Sequence, residues 1–185
     1  MNSPSADLAV DIRVESASDA PGIDDLVLQA FGRDAVPELV ALIRSSANYV
    51  PDLALVATRG ERLVGHTMLS YVDLVDGDAR HRVLTLSPLS VVPDSQRQGI
   101  GSALVMAAIE KADRRREPLI VLEGSPAYYP RFGFRPSRQF GITIPLPDWA
   151  PEEAGMVRTL SAYDPGLRGE IVYPAAFDVV TPDRS

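Results

Sequence analysis

The chain has 185 residues, of which 45% are hydrophobic, a net charge of −7 and no cysteine. This length and composition are typical of one globular domain with a substantial core, and the absence of cysteine excludes disulfides, thiolate metal sites and a cysteine nucleophile. The negative charge argues against a nucleic-acid-binding protein, and the only two histidines, His66 and His81, predict no metal site.

The first stretch, MNSPSADLAVDI, is polar and acidic. It has no basic region followed by an apolar run, as a signal peptide or a membrane span requires. We therefore expect a cytoplasmic protein without membrane association. We also expect a single domain over residues 1–185, with flexible tails at 1–9 and 179–185.

Two helices are predicted near the N-terminus. Asp19, Ala20 and Pro21 indicate a helix start, because an Asp cap and a Pro in the first turn suit the unpaired amides there. Apolar residues then recur at helical spacing as far as Phe31. A second helical pattern covers residues 36–43.

The middle of the chain alternates between strands and one strong helix. Two strand-like runs, 53–58 and 63–71, are joined at Arg59, Gly60 and Glu61 as in a hairpin. A third run, 83–92, ends at Pro93, and the clearest helix follows from Gly99 to about Arg116. Short strands are predicted at 119–122, 141–144 and 156–160. This order predicts an α/β or α+β fold with a mixed sheet.

Residues 89–102 join a strand to the strongest helix through a loop that contains Gly99 and Gly101. Unpaired backbone amides at a helix N-terminus favour an anion, and glycine lets the backbone approach it closely. Gln96, Arg97 and Gln98 can add side-chain donors. The pattern predicts a pyrophosphate-binding site.

Other interpretations of the glycines are less favoured. Two glycines in isolation would more often mark only a tight turn, but their place between a strand and the strongest helix favours the anion site. A Rossmann loop would need a third glycine where Leu104 stands, and a P-loop would need a Gly-Lys-Ser/Thr sequence that is absent.

The string Gln96-Arg-Gln-Gly-Ile-Gly101 matches the Q/R-x-x-G-x-G/A signature of Gcn5-related N-acetyltransferases (GNAT). Tyr128-Tyr-Pro-Arg-Phe-Gly-Phe134 resembles a second landmark of this family, and the late segment GEIVYPAAF is similar to its YhbS-like branch. The resemblance covers about residues 10–178. It implies a mixed, centrally splayed β-sheet flanked by helices. It also implies transfer of an acetyl group from acetyl-CoA to a primary amine of an unidentified small molecule or protein.

The resemblance also implies roles for individual residues. Tyr129, four residues before the Gly-Phe pair, would be the general acid, and a backbone amide near Val91 would stabilise the oxyanion. Leu122 stands where many relatives have Asn, so contacts of that Asn are not expected here. The backbone of Leu89, Ser90 and Val91 would contact the acetyl and pantetheine groups, and the pyrophosphate would lie against Gln96, Arg97, Gln98, Gly99, Ile100, Gly101 and Ser102.

The general base stays open between several candidates. The strand at 83–92 has no carboxylate, so Glu123 at the end of the next strand is the nearest acidic candidate. His66 and a water molecule are alternatives. Tyr128 and Tyr129 also fit a packing role in a turn.

Two further readings remain open. The missing strand carboxylate also fits a non-catalytic acyl-CoA-binding sensor or interaction module. The Pro-rich C-terminal third, with Trp149, Tyr163 and Tyr173, is a candidate interface for a homodimer. The acidic composition favours a cationic acceptor.

Overall fold

The computed structural model describes residues 9–180. In this part of the chain three α-helices occur, α1 (Ala20–Phe31), α2 (Ala35–Arg44) and α3 (Ile100–Arg114). The strands are β1 (Val10–Val14), β2 (Tyr49–Arg59), β3 (Arg62–Asp76), β4 (Ala79–Val91), β5 (Leu119–Glu123), β6 (Arg135–Pro136), β7 (Ile142–Thr143), β8 (Gly155–Thr159) and β9 (Gly169–Val172).

All nine of these strands belong to one mixed sheet with the central order β1-β2-β3-β4-β5-β8-β6. Strand β9 pairs with β3 and with β7 at the side of this path. The β4–β5 and β7–β9 pairs are parallel, and the other pairs are antiparallel. The predicted mixed sheet flanked by helices is confirmed.

The helices cover opposite faces of the sheet. A Cβ on Gly65 of β3 would lie 2.9 Å from Leu104 and 3.0 Å from Ile100, so the absence of a side chain lets α3 approach the sheet. The next residue, His66, points to the other face, where Glu15 links it to Arg44 of α2. Leu104, fully buried beneath the sheet, contributes roughly 1.5–3 kcal/mol of hydrophobic stabilisation.

Most predicted elements are present, usually longer than predicted. The hairpin turn at Arg59–Arg62 is found where the sequence places it. Strands β1, β6 and β9 were not predicted, although β1 alternates Val10, Ile12 and Val14 as a half-buried strand does; β6 and β9 are only two and four residues long. Within residues 9–180 no helix is both long and apolar enough to cross a membrane.

Two local expectations need correction. The carboxylate of Asp19 does not cap α1; it accepts hydrogen bonds from the Ser16 amide at 2.7 Å and the Arg13 guanidinium at 2.7 Å. In the expected C-terminal tail, Val179 and Val180 pack against the core. The expected tail segments 1–8 and 181–185 lie outside the described residues.

Candidate active site

The sheet opens between β4 and β5. These strands pair only at Leu84–Ile120 and Thr85–Val121, and β4 then continues to Val91 without β5 beside it. The register between β3 and β4 shifts between Thr67 and Leu69, as in a β-bulge. The splayed sheet expected from the family resemblance is therefore present, and a strand bulge accompanies it.

The open edge of β4 carries unpaired backbone groups. The Val92 amide donates to the Val64 carbonyl of β3 at 3.1 Å. Because backbone groups alternate along an antiparallel strand, those of Ser90 also point to β3, whereas the amides of Val91 and Leu89 point to the opening. The backbone of Ser90 thus faces β3 and its side chain is buried, and its expected contact with the acetyl and pantetheine groups stays a prediction.

Residues 96–102, here named the glycine loop, lead from β4 into α3. Arg97 and Gly99 have positive φ angles of 60° and 84°, and residues 96–99 are exposed. The first turn of α3 has no hydrogen bond from a capping side chain. Its amides are therefore oriented toward solvent at the positive end of the helix dipole, an arrangement that suits an anion.

Two expected side-chain donors of the glycine loop are engaged within the protein. The side-chain amide of Gln96 donates to the backbone carbonyl of Val91 at 3.1 Å, and that of Gln98 donates to the backbone carbonyl of Asp94 at 3.1 Å. These bonds shape the loop, so backbone amides remain its main donors. Arg97 is exposed in the loop itself.

The β2–β3 hairpin supports the same loop through two arginines that the sequence did not single out. Arg59 donates to the Gln98 side chain at 3.0 Å, and Arg62 pairs with Asp94 at 2.7 Å. The guanidinium of Arg62 is the main reason why the pKa of Asp94 is lowered. No local sequence signal marks these contacts, because they join residues more than thirty positions apart.

Gly101 leaves room at the mouth of the opening. A Cβ at this position would lie 3.1 Å from the Tyr128 hydroxyl, 3.7 Å from Val91 and 3.8 Å from Leu89. Ser102 in the same helical turn has its hydroxyl 3.4 Å from that of Tyr128. Gly101 therefore faces the β4 side of the opening, where a larger side chain would occupy the space available to a ligand.

Tyr128 and Tyr129 lie at the start of a 3₁₀ helix, Tyr129–Phe132. Their rings meet edge to face at 5.0 Å, and Tyr129 also packs against Phe134. A Cβ on Gly124 would overlap the Tyr129 ring, so this glycine allows the close packing. Burial, and secondarily the neighbouring Tyr128, raises the pKa of Tyr129 to about 12. The Tyr129 phenol is thus protonated at neutral pH.

Glu123 ends β5 beyond its last pair with β4. It keeps contact with solvent, yet burial raises its pKa, while a hydrogen bond from Tyr173 opposes that rise. Burial and the charge of Glu123 raise the pKa of Tyr173 well above its usual value, and Tyr173 also interacts with Thr85 of β4. Tyr173 therefore connects β4 and β5 where they separate. From the sequence alone, Tyr173 was a candidate only for an interface.

His66 lies on the same face of the sheet as Glu123 but is completely buried. Its Nε2 is 3.0 Å from Glu15, which also accepts hydrogen bonds from Arg44 at 2.8 Å and Tyr49 at 2.8 Å. Burial lowers the pKa of His66. Although burial opposes ionisation of Glu15, hydrogen bonds from His66 and Arg44 lower its pKa to about 2. Through Glu15, which directly follows β1, this network ties α2 to β2 and β3, and we interpret His66 as a structural residue of the core.

The three C-terminal aromatic residues differ in exposure and packing. Trp149 is 82% exposed, whereas Tyr163 packs against Phe140 and Tyr173 against Phe177. Across residues 9–180, no group of three or more acidic or histidine side chains could hold a metal ion.

Comparison with known proteins places this geometry in a family. An acetyltransferase (GNAT) domain model matches residues 11–137. The uncharacterised N-acetyltransferase YjhQ of Escherichia coli K12 is 31% identical over 165 residues, which cover 85% of this chain and 88% of YjhQ.

Two solved structures are also similar to the chain. The GNAT family N-acetyltransferase YhbS from Escherichia coli, in complex with CoA, has a TM-score of 0.83 at 30% identity and covers 96% of each chain. A GNAT family acetyltransferase from Brucella melitensis, in complex with acetyl-CoA, has a TM-score of 0.74 at 27% identity, covering 92% of this chain and 99% of that one. The domain match, the curated relative and the splayed sheet agree, and the chain belongs to the Gcn5-related N-acetyltransferase family.

Proposed function

We propose that the chain transfers the acetyl group of acetyl-CoA to an amine in the opening between β4 and β5. The observation that carries this proposal is the alignment of three features along that opening. They are the unpaired edge of β4, the uncapped N-terminus of α3 and the space above Gly101. Together they offer amide donors for an amide-containing chain that ends in a diphosphate.

The residues of the opening fit acetyl-CoA. The amides of Leu89 and Val91 would bind the pantetheine and acetyl portion, and the Val91 amide would stabilise the oxyanion. The glycine loop would bind the diphosphate mainly through its backbone, with Arg97 adding positive charge. Gln96 and Gln98 would act chiefly by holding the loop in shape.

Glu123 is the proposed proton acceptor. Glu123 is exposed at the end of β5, yet the protein packed around its carboxylate raises its pKa, which strengthens it as a base. The amine attacks in its neutral form, after a cationic acceptor has released a proton to solvent, and Glu123 takes a second proton from the nitrogen as it forms a bond to the acetyl carbon. Tyr173, donating to Glu123, would orient this carboxylate.

Tyr129 is the proposed proton donor. As the carbon–sulfur bond breaks, the phenol donates its proton to the departing thiolate, and the products are an amide and the free thiol of CoA. A phenol with a pKa of about 12 keeps its proton at physiological pH. The proton lost by the amine and the proton gained by sulfur balance.

Two measurements test this function. Calorimetry should register binding of CoA and acetyl-CoA, and an amine panel should release free thiol from acetyl-CoA in the presence of the protein. Binding without thiol release from any amine would favour the acyl-CoA sensor. An absence of binding by the folded protein would overturn the proposal.

We keep three finer expectations as part of this proposal. The acceptor is a primary amine on a small molecule or a protein, the protein acts in the cytoplasm, and two copies form a homodimer. Fractionation and gel filtration test the last two.

A further inference from the structure

Two polar side chains face each other in the core beside the opening. His66 of β3 pairs with Ser90 of antiparallel β4. Side chains of directly opposed residues lie on the same face, with their Cβ atoms about 4.5–5.5 Å apart. Both residues are buried, with exposed fractions of 0% and 1%. Within residues 9–180 neither Nδ1 of His66 nor Oγ of Ser90 has a hydrogen-bond partner, which is costly for buried polar atoms.

The partner of the other ring nitrogen determines the tautomer of His66. Nε2 lies 3.0 Å from Glu15, which also accepts a hydrogen bond from Arg44. Although burial opposes ionisation of Glu15, these hydrogen bonds lower its pKa to about 2, so the carboxylate is ionised and can only accept hydrogen bonds. Nε2 must therefore carry the proton. Because burial lowers the pKa of His66, the ring is neutral and Nδ1 is a hydrogen-bond acceptor.

The Ser90 hydroxyl is the donor that this acceptor requires. Its oxygen is one bond from Cβ, and Nδ1 of His66 is two bonds from the opposed Cβ. Rotation of the serine side chain about its Cα–Cβ bond therefore brings the hydroxyl within hydrogen-bonding distance of Nδ1. One such bond would satisfy a buried donor and a buried acceptor together. It would join a carboxylate, an imidazole and a hydroxyl in series, from Glu15 to β4.

Ser90 lies in the part of β4 that has the least support from neighbouring strands. Strand β5 pairs with β4 only as far as Thr85, so beyond that point β4 is paired on the β3 side alone. In the described sheet, residues 87–88 form no pair with β3 either. The amides of Leu89 and Val91, on either side of Ser90, are those proposed to bind the pantetheine and acetyl groups. A side-chain hydrogen bond at Ser90 would fix the orientation of both amides.

We propose that the Ser90 hydroxyl donates to Nδ1 of His66, and that Glu15 and His66 thereby position the β4 backbone for acetyl transfer. The side chains of Ser90 and His66 are positioning groups, which act through the amides of Leu89 and Val91. The inference rests on the proposed acetyl transfer and adds two residues to it. It also gives the buried histidine a role in rate other than that of a general base.

The kinetic test separates the rate from donor binding. Ser90→Ala should lower kcat by at least about 10-fold, because a displaced oxyanion donor stabilises the transition state less well. Acetyl-CoA affinity should change by less than about 3-fold, since the glycine loop binds the diphosphate without Ser90. Ser90→Thr keeps the hydroxyl and should restore most of kcat. Ser70→Ala, which removes another fully buried and unpaired serine hydroxyl, is the matched control and should leave kcat unchanged.

Nuclear magnetic resonance tests the contact itself, in the protein without substrate. The chain has only two histidines, and the exposed His81 serves as an internal reference. The proton of His66 should reside on Nε2, and the ¹⁵N resonance of Nδ1 should lie upfield of that of an acceptor nitrogen without a hydrogen bond. In Ser90→Ala this resonance should move downfield, and in Ser70→Ala it should stay in place.

Several results would overturn the positioning role. They are a proton on Nδ1 of His66, an Nδ1 resonance that Ser90→Ala does not move, and a normal kcat in Ser90→Ala. A less stable Ser90→Ala variant with normal kcat would leave Ser90 a purely structural residue. If the wild-type protein released no thiol with any amine, the proposed function itself would fail. The Nδ1 resonance needs no substrate, so it would still decide whether the contact exists.

Discussion

The two sides of the splayed strands are assembled in different ways. The groups proposed to hold acetyl-CoA come almost entirely from residues 89–102, a strand end, a loop and a helix start that are continuous in sequence. On the acceptor side, Thr85, Glu123 and Tyr173 come from three separate segments. The donor side is continuous in sequence, whereas the residues of the acceptor side are brought together only by the fold.

This difference has a physical reason. A diphosphate is bound by backbone amides, so its site needs a particular backbone path and little side-chain chemistry. An acceptor amine is recognised by side chains that many segments can supply. Substitutions on the first side should therefore abolish binding of the donor, and those on the second should change rate, pH dependence or acceptor choice.

Gly101→Arg should have the most far-reaching effect, because no acetyl transfer can occur when the donor does not bind. The new side chain would enter the space bounded by Tyr128, Val91 and Leu89 and displace the diphosphate. CoA affinity measured by calorimetry should fall by more than about 100-fold, or roughly 2.7 kcal/mol. Met106→Arg, on the exposed face of the same helix, adds the same charge and should bind CoA normally. Tight CoA binding by the Gly101 variant would place the diphosphate elsewhere.

Tyr129→Phe should separate chemistry from binding. Removing the phenolic proton donor should lower kcat by about 10²- to 10⁴-fold, the usual contribution of a general acid, and leave the calorimetric affinity for acetyl-CoA unchanged. Because the pKa of Tyr129 is about 12, the wild-type rate should show no loss from this group up to about pH 10.

The neighbouring tyrosine makes this experiment specific. Tyr128→Phe removes the hydroxyl near Ser102 and should affect cofactor affinity more than kcat. If Tyr128→Phe lowers kcat and Tyr129→Phe does not, Tyr128 rather than Tyr129 is the proton donor. A normal turnover of both variants would leave the thiolate to be protonated by water.

The same contrast explains what the sequence could predict. The glycine loop, the strong helix and the tyrosine pair were found because their spacing is local. Glu123 could be proposed from its place at a strand end. Its partner Tyr173 could not, because the contact depends on β9 returning to β3 and carrying Tyr173 over the sheet.

Two other misses have related causes. Arg59 and Arg62 support the glycine loop across the sheet edge, and nothing in a hairpin turn predicts that contact. His66 shows the opposite case, since a histidine on a strand near the opening was a fair candidate base. Its complete burial against Glu15 is a tertiary property.

Glu123→Gln should have the next largest effect, on rate and on pH dependence together. A protonated carboxyl cannot accept a proton, so wild-type kcat/KM should rise with pH through the pKa of Glu123, which lies above its usual range. In the variant this acidic limb of the pH profile should be absent, and the plateau value of kcat/KM should be about 10²-fold lower. Glu170→Gln, an exposed glutamate of β9, should keep both limb and rate. An unchanged limb in the Glu123 variant would assign the base to another group.

Tyr173→Phe should have the smallest effect and the most specific one. The hydrogen bond from Tyr173 stabilises the ionised form of Glu123 and so lowers the pKa of that carboxyl. Its removal should raise this pKa and move the acidic limb of kcat/KM to higher pH, while the plateau falls much less than in Glu123→Gln. Tyr163→Phe removes a hydroxyl from a tyrosine packed on Phe140 and should leave the limb in place. If Tyr173 had a purely structural role, its replacement would lower stability without moving the acidic limb. If the limb instead moves in Tyr173→Phe and is absent in Glu123→Gln, the proton acceptor is a carboxylate oriented by a residue some fifty positions away in sequence.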